Sequence, residues 1–161
     1  MKSRLIASLA LGVAVAIGTT GCAFITPQGT EIEYSPSDGV TVAGSAPLEV
    51  RNAFVVANED GTAGNLVAAI VNPTDGDLTL RLEVGENRTP ATVRVEANSI
   101  VSLGAEDKAP LELSDFDAKP GTVVQIYFQS GDKNGVQTDV PVLDGTLPYY
   151  ATLAPTASPA P

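Results

Sequence analysis

The feature that most constrains the fold is a strict alternation of apolar and polar residues. In the stretch LTLRLEV, residues 78–84, the leucines and the valine take every second position, and Thr79, Arg81 and Glu83 lie between them. A period of two is typical of a half-buried β-strand. The stretches TVRVE, VVQIYFQ and VQTDVPV repeat the pattern, which predicts inward faces made of Val93 and Val95; of Val124, Ile126 and Phe128; and of Val136, Thr138, Val140 and Val142.

Three further runs complete a set of strands, and none of the chain after the N-terminus sustains a helical period. They are LEVRNAFVV (48–56), NLVAAIVN (65–72) and SIVSL (99–103). The second is apolar at almost every position, which predicts a central strand covered on both faces. Turn signals such as Asn134-Gly135 separate the runs and predict hairpins. About seven to nine short strands predict an all-β fold, an antiparallel immunoglobulin-like or cupredoxin-like β-sandwich, over residues 47–147.

The N-terminus has the three parts of a secretory signal. Lys2 and Arg4 precede an uncharged apolar run, Leu5–Ile17, which is short for a transmembrane span. Small residues then lead to Cys22, the only cysteine in the chain.

The sequence Thr19-Thr20-Gly21-Cys22 resembles the lipobox of bacterial lipoproteins. The resemblance implies that residues 1–21 are a signal peptide and that Cys22 becomes a lipidated first residue. It also implies attachment to the cell membrane on its extracytoplasmic face. Residues 22–46, rich in Gly, Pro, Ser and Thr, then predict a tether. The alternative is a secreted protein in which Cys22 is incidental.

Composition excludes several classes of function. The formal net charge is −10, and an acidic chain is repelled by phosphate backbones, so a nucleic-acid partner is not expected. Histidine is absent and the only methionine is Met1. A Ser-His-Asp or Cys-His triad and a zinc site of imidazoles or thiolates therefore cannot be built. We assign no catalytic, cofactor-binding or metal-binding residue.

The order of the strand blocks from Leu48 to Leu143 resembles the PCuAC family of extracytoplasmic copper chaperones. VRNAFVV resembles its first core strand, and KPGTVVQIYFQSGDKNGVQTDVPV resembles its closing hairpin. The family binds Cu(I) through His and Met, ligands that suit a soft ion. In PLELSDF, the segment that resembles the family's ligand segment, Pro110 and Glu112 stand where the family has His and Met. The resemblance therefore implies the fold without the copper ligands.

Three functions remain open. The first is a non-catalytic binding or interaction domain of the cell envelope with a protein partner. The second is metal handling, copper-chaperone-like or through hard oxygen ligands; candidate oxygens are those of Asn58, Glu59, Asp60, Asn65, Asp75 and Asp77. The third is a carboxylate-based enzyme, for which the candidate pairs are Glu106 with Asp107 and Asp115 with Asp117. Residues 148–161, rich in Pro, Ala, Thr and Ser, predict an extended tail, and the sequence leaves open whether Tyr149 and Tyr150 lie on the sandwich or belong to that tail. We favour the first function and expect no enzyme.

Overall fold

The computed structural model describes residues 2–19, 37–85, 89–105 and 108–156. The chain divides into two compact units, Met1–Tyr34 and Ser35–Pro161. Cys22 and the residues around it lie outside the described ranges. The lipidation prediction at Cys22 therefore stays a prediction.

The described part of the N-terminal unit is one helix, α1, Lys2–Thr19. It contains the basic start and the apolar run recognised in the sequence. Across the described ranges, no helix has both the length and the apolar character needed to cross a membrane.

The second unit is built from strands, with one short helix near its end. The described residues form the strands β1 Glu49–Ala57, β2 Gly64–Asn72, β3 Leu78–Val84, β4 Thr89–Val95, β5 Ser99–Leu103, β6 Leu111–Leu113, β7 Val123–Ser130 and β8 Val136–Asp144, followed by helix α2, Pro148–Ala151.

The strands follow the order β4-β3-β7-β8-β1-β2-β5, and β6 pairs with β2 beside this path. One layer contains β4, β3 and β7, the other contains β1, β2, β5 and β6, and β8 pairs with both. The predicted all-β sandwich is confirmed, with one difference from an antiparallel arrangement. Strands β1 and β8 run parallel, through the partners Val55↔Val142, Val56↔Leu143 and Ala57↔Asp144.

The inward faces predicted from the alternation form the core. Leu80 and Leu82 of β3 and Ile126 and Phe128 of β7 are fully buried, whereas Arg81 is exposed. Burying a side chain of this size stabilises the fold by about 1.5–3 kcal/mol relative to leaving it in water. The core depends on many aliphatic contacts, because the chain has no tryptophan.

The predicted hairpin at Asn134-Gly135 joins β7 to β8. Gly135 lies against the ring of Tyr127, and a Cβ at this position would be 2.3 Å from a ring atom. The backbone N–H of Gly135 donates to the Tyr127 hydroxyl over 3.0 Å. The glycine is required here by close packing, since the same Cβ would also lie 2.6 Å from the carbonyl oxygen of Phe128.

A bulge in β1 allows Val50 and Val55, which lie on either side of it, both to pack in the core. The register shifts between Arg51 and Phe54, where Asn52 takes a left-handed φ of 50°. The Asn52 side-chain oxygen accepts a hydrogen bond of 2.9 Å from the N–H of Gly39, which secures the bulge to the preceding segment. Beyond the bulge, Val55 points into the core, while Phe54 and Val56 belong to a smaller cluster on the outer face.

In the structure, packed residues are found before residue 47, within the segment predicted as a tether. Val40 forms a bridge with Ala53, and Val42 is buried in the core. Ser45 is also buried, and its carbonyl accepts a hydrogen bond from the Ser130 hydroxyl at the end of β7. Part of the predicted tether is therefore integral to the sandwich.

Packed residues are also found after residue 148, within the segment predicted as a tail. Tyr150 of α2 is buried in the outer cluster, where Leu153 and Ala154 pack beside it. Its ring lies 5.4 Å from that of Phe54, and its hydroxyl donates to the carboxylate of Asp38. Burial and this hydrogen bond raise the pKa of Tyr150. The C-terminal segment up to Ala154 therefore belongs to the domain, although its composition is typical of a tail.

We expect Leu80→Asp to unfold the domain and Arg81→Asp to be tolerated. The first change places an unpaired charge in the core, which costs several kcal/mol. The second removes an exposed ion pair with Glu83, which is worth about 1 kcal/mol at most. Thermal denaturation followed by circular dichroism measures both. Equal shifts in Tm would contradict the strand register.

The packing of α2 is tested by two neighbouring tyrosines. Tyr150→Ala should lower the free energy of unfolding by about 3 kcal/mol, because it empties an aromatic site in the outer cluster. Tyr149→Ala is the matched control, since Tyr149 is largely exposed, and it should cost much less. Urea denaturation measures both values. If the two variants were equally stable, the segment after residue 147 would be a dispensable tail after all.

Candidate functional site

The parallel pairing of β1 with β8 brings two chain segments to the same end of the sandwich. Ala57 and Asp144 are register partners at the last positions of their strands. The residues that follow them, the loop 58–63 and the turn 145–147, therefore begin side by side. Two grooves lie at this end and share Asn58 in their walls.

Asn58 organises the first of these segments. Its side-chain oxygen accepts hydrogen bonds from the backbone N–H groups of Thr62, at 2.9 Å, and Ala63, at 3.1 Å. Its side-chain nitrogen donates to the Thr62 hydroxyl over 3.0 Å. The Asn58 amide is thus engaged in holding the loop.

The first groove, called the polar groove below, has a volume of about 410 Å³. Asn65 and Glu112 are direct partners across the β2–β6 pair, so their side chains share a face. The Asn65 side chain donates to the carbonyl of Leu153 over 2.9 Å, which fixes the C-terminal segment as a wall. The groove is lined by Asn58, Thr62, Ala63, Asn65, Glu112, Pro155 and Thr156.

The second groove, called the mixed groove below, has a volume of about 560 Å³. Exposed charges at its wall are Glu59, Lys119 and Asp144. The hydroxyl and backbone N–H of Thr146 donate to Asp144 and lower the pKa of that carboxyl. The remaining walls come from Ala57, Asn58, Pro120, Gly145, Thr146 and Ala154.

The structure places the predicted oxygen ligands in two separate turns. Asn58, Glu59, Asp60 and Asn65 belong to the loop between β1 and β2 or to its edge, and Asp75 and Asp77 belong to the turn between β2 and β3. Among the described residues, no group of three or more His, Cys, Asp or Glu side chains is placed to hold a metal ion.

The turn between β2 and β3 is secured by the oxygens that were candidate ligands. Asp77 accepts a hydrogen bond of 3.0 Å from the N–H of Ala97 and one of 2.7 Å from the Arg94 guanidinium. The Ala97 N–H is the larger cause of a lowered pKa at Asp77, and Arg94 adds to it. Asp75 accepts from the Asn98 side chain. These two carboxylates therefore hold the turn between β2 and β3 through hydrogen bonds.

The candidate catalytic carboxylates do not form a site in the described structure. Glu106 and Asp107 lie outside the described residues. Asp115 lies in a left-handed turn with φ 54°, and Asp117 lines a third cavity, of about 440 Å³, that Asp115 does not line. The expectation that the chain is not an enzyme therefore stays a prediction.

The sequence did not single out Thr62, Pro155 or Thr156 as site residues. Thr62 lies in a loop whose acidic residues were the candidate ligands, and Pro155 and Thr156 lie in the predicted tail. None of the three residues belongs to a sequence motif, because they come close to Glu112 only through the pairing of segments that are distant in sequence.

The solved structures similar to this chain include two of the PCuAC domain of PmoF2. The apo PCuAC domain of PmoF2 aligns at 15% identity with a TM-score of 0.49, covering 66% of this chain and 96% of that one. The copper-bound PCuAC domain from PmoF2 aligns at 15% identity with a TM-score of 0.45, covering 60% and 92%. No family model and no curated protein matches the chain. The ligand chemistry of this chain therefore rests on its own residues.

Those residues do not fit Cu(I). Glu112 is an exposed carboxylate on β6, and Pro110, which precedes that strand, has no donor side chain; these are the two residues that the sequence resemblance aligned with soft ligands. Carboxylates are hard ligands, whereas Cu(I) prefers thiolate, thioether and imidazole. The chain contains no histidine, and its one methionine is residue 1.

We expect no high-affinity Cu(I) site in the domain. Competition against a chromogenic Cu(I) chelator of micromolar affinity, under reducing conditions, measures this directly. The full chain with Cys22 changed to Ser should leave the chelator's copper spectrum unchanged, because the only thiol is then removed. Transfer of one copper ion per chain to this variant would restore the copper-chaperone interpretation.

Proposed function

We propose that this chain is a lipid-anchored, extracytoplasmic lipoprotein whose β-sandwich is a non-catalytic binding domain of the cell envelope. The proposal for the anchor is supported by the basic start, the apolar run and Gly21-Cys22, all features of the sequence. A diacyl group attached to Cys22 would hold the chain stably, since two acyl chains are sufficient for lasting attachment.

The observation that carries the binding function is the polar groove. Its rim offers the exposed carboxylate of Glu112 and the exposed hydroxyls of Thr62 and Thr156. Groups of this kind give orientation and specificity through hydrogen bonds. The groove lies on ordered elements, since β6 is paired to β2 and the loop is held by Asn58.

The partner that this surface suits is an extended segment of an envelope protein. Among the pairings found in the described chain, β6 pairs only with β2, so its other edge presents backbone donors and acceptors. A peptide can add to such an edge through main-chain hydrogen bonds, while neighbouring side chains select its sequence. The short length of β6 limits this contact, so the groove side chains would supply much of the specificity.

Metal handling stays the alternative function, and the donor chemistry of the chain weighs against it for copper. A carboxylate enzyme is the lesser alternative. Neither draws support from a specific cluster of side chains in the described ranges.

The anchor is tested by metabolic labelling with a fatty acid in a bacterial host. The wild-type chain should carry the label and partition into detergent, and Cys22→Ser should do neither, because the acceptor thiol is gone. A wild-type chain without label would contradict the lipoprotein assignment.

The groove is tested by placing a photoreactive phenylalanine derivative at single positions in envelope preparations. Positions Glu112 and Thr156 should give a crosslinked adduct of higher mass, because both line the polar groove. The matched control is Thr79, exposed on β3 and outside both grooves, which should give none. Equal adducts at all three positions, or none at the groove, would contradict binding at this site.

A further inference from the structure

The C-terminal helix and its N-cap carry two of the exposed large apolar side chains of the domain. Leu147, at its N-cap, is 45% exposed, and Tyr149 within it is 62% exposed. We call these two residues the Leu147–Tyr149 patch. Tyrosine combines an apolar ring with a polar hydroxyl and is enriched where an apolar phase meets water.

The patch is held in place by its buried neighbour. The ring of Tyr149 packs edge-on against that of Tyr150, with centroids 4.4 Å apart. The N–H of Tyr150 donates to the carbonyl of Leu147 over 2.9 Å, which closes the turn. Since Tyr150 is packed against Phe54, the patch is presented by an ordered element.

The patch also lies where the tether joins the domain. The described part of the domain begins at residue 37, and Asp38 accepts the hydrogen bond of the Tyr150 hydroxyl. The next residue, Gly39, is fixed by its hydrogen bond to Asn52. Residues 22–36 separate this point from the proposed anchor, and a segment of that length spans at most about 50 Å. The chain that leads to the proposed anchor therefore leaves the described domain beside the patch.

We infer that the Leu147–Tyr149 patch faces the lipid surface and contacts it at the level of the headgroups, an inference that rests on the proposed lipid anchor at Cys22. The anchor supplies proximity, and the patch sets the orientation. The contact is apolar and interfacial, because Asp38, which accepts a hydrogen bond from the neighbouring Tyr150, is acidic and gives no attraction to anionic lipid. This orientation would fix the direction in which the two grooves open.

The chain has no tryptophan, so a single introduced one is a clean reporter. The Tyr149→Trp variant, produced with its lipid and reconstituted into phosphatidylcholine vesicles, is compared in the presence and absence of brominated acyl chains. Ile100→Trp is the matched control, because Ile100 is 63% exposed on β5. We expect at least twofold stronger quenching for Tyr149→Trp. Leu147→Trp provides a second reporter on the same patch.

Sedimentation with the vesicles separates failure of the anchor from failure of the patch. If the protein does not sediment with them, the anchor proposal fails and the lipid-facing inference falls with it. If it sediments but both patch reporters are quenched no more than Ile100→Trp, the anchor stands and the inference is wrong. A concentration-dependent spectral shift without vesicles would show that a second copy covers the patch, which also overturns it.

Discussion

The parallel pairing of β1 with β8 is the interaction on which the architecture depends. Through Val55↔Val142 and the two following pairs it joins the layer of β1 and β2 to the layer of β3 and β7. If the two strands were antiparallel, their C-terminal ends would lie at opposite ends of the sandwich. Because the strands run the same way, the segments after Ala57 and after Asp144 meet, and both grooves arise at that meeting point.

Asparagine side chains and the C-terminal segment complete this end of the molecule. Asn58 holds the loop after β1, and Asn65 holds the backbone at Leu153. Among the described residues, no buried side-chain nitrogen or oxygen lacks a hydrogen-bond partner. The hydroxyl of Tyr150 donates a hydrogen bond to Asp38, so Tyr150 links the C-terminal segment of the domain to its N-terminal segment. An acidic chain without tryptophan thus obtains a defined site from amide hydrogen bonds and one aromatic cluster.

How much the sequence predicts depends on whether the determinant is local. The alternation in β3 and β7 is local, and the inward positions of Leu80 and Phe128 follow from it directly. The bulge at Asn52 and the β1–β8 pairing are not local, because they depend on contacts with segments distant in sequence. At the C-terminus the prolines and alanines predict a tail, but the buried Tyr150 packs this segment against the sandwich. The site residues carry no motif, since Glu112 and Thr156 are brought together only by the fold.

We propose that the end of the sandwich beyond β1 and β8 is the surface that binds a partner in the envelope. Hydrogen–deuterium exchange of the intact protein, measured in its native membranes and again after purification in detergent, tests it without choosing a partner beforehand. We expect slower exchange in the membranes at residues 58–65, 111–113 and 153–156, where the polar groove is built. Unchanged exchange there, or protection confined to the edge strand β4, would contradict it.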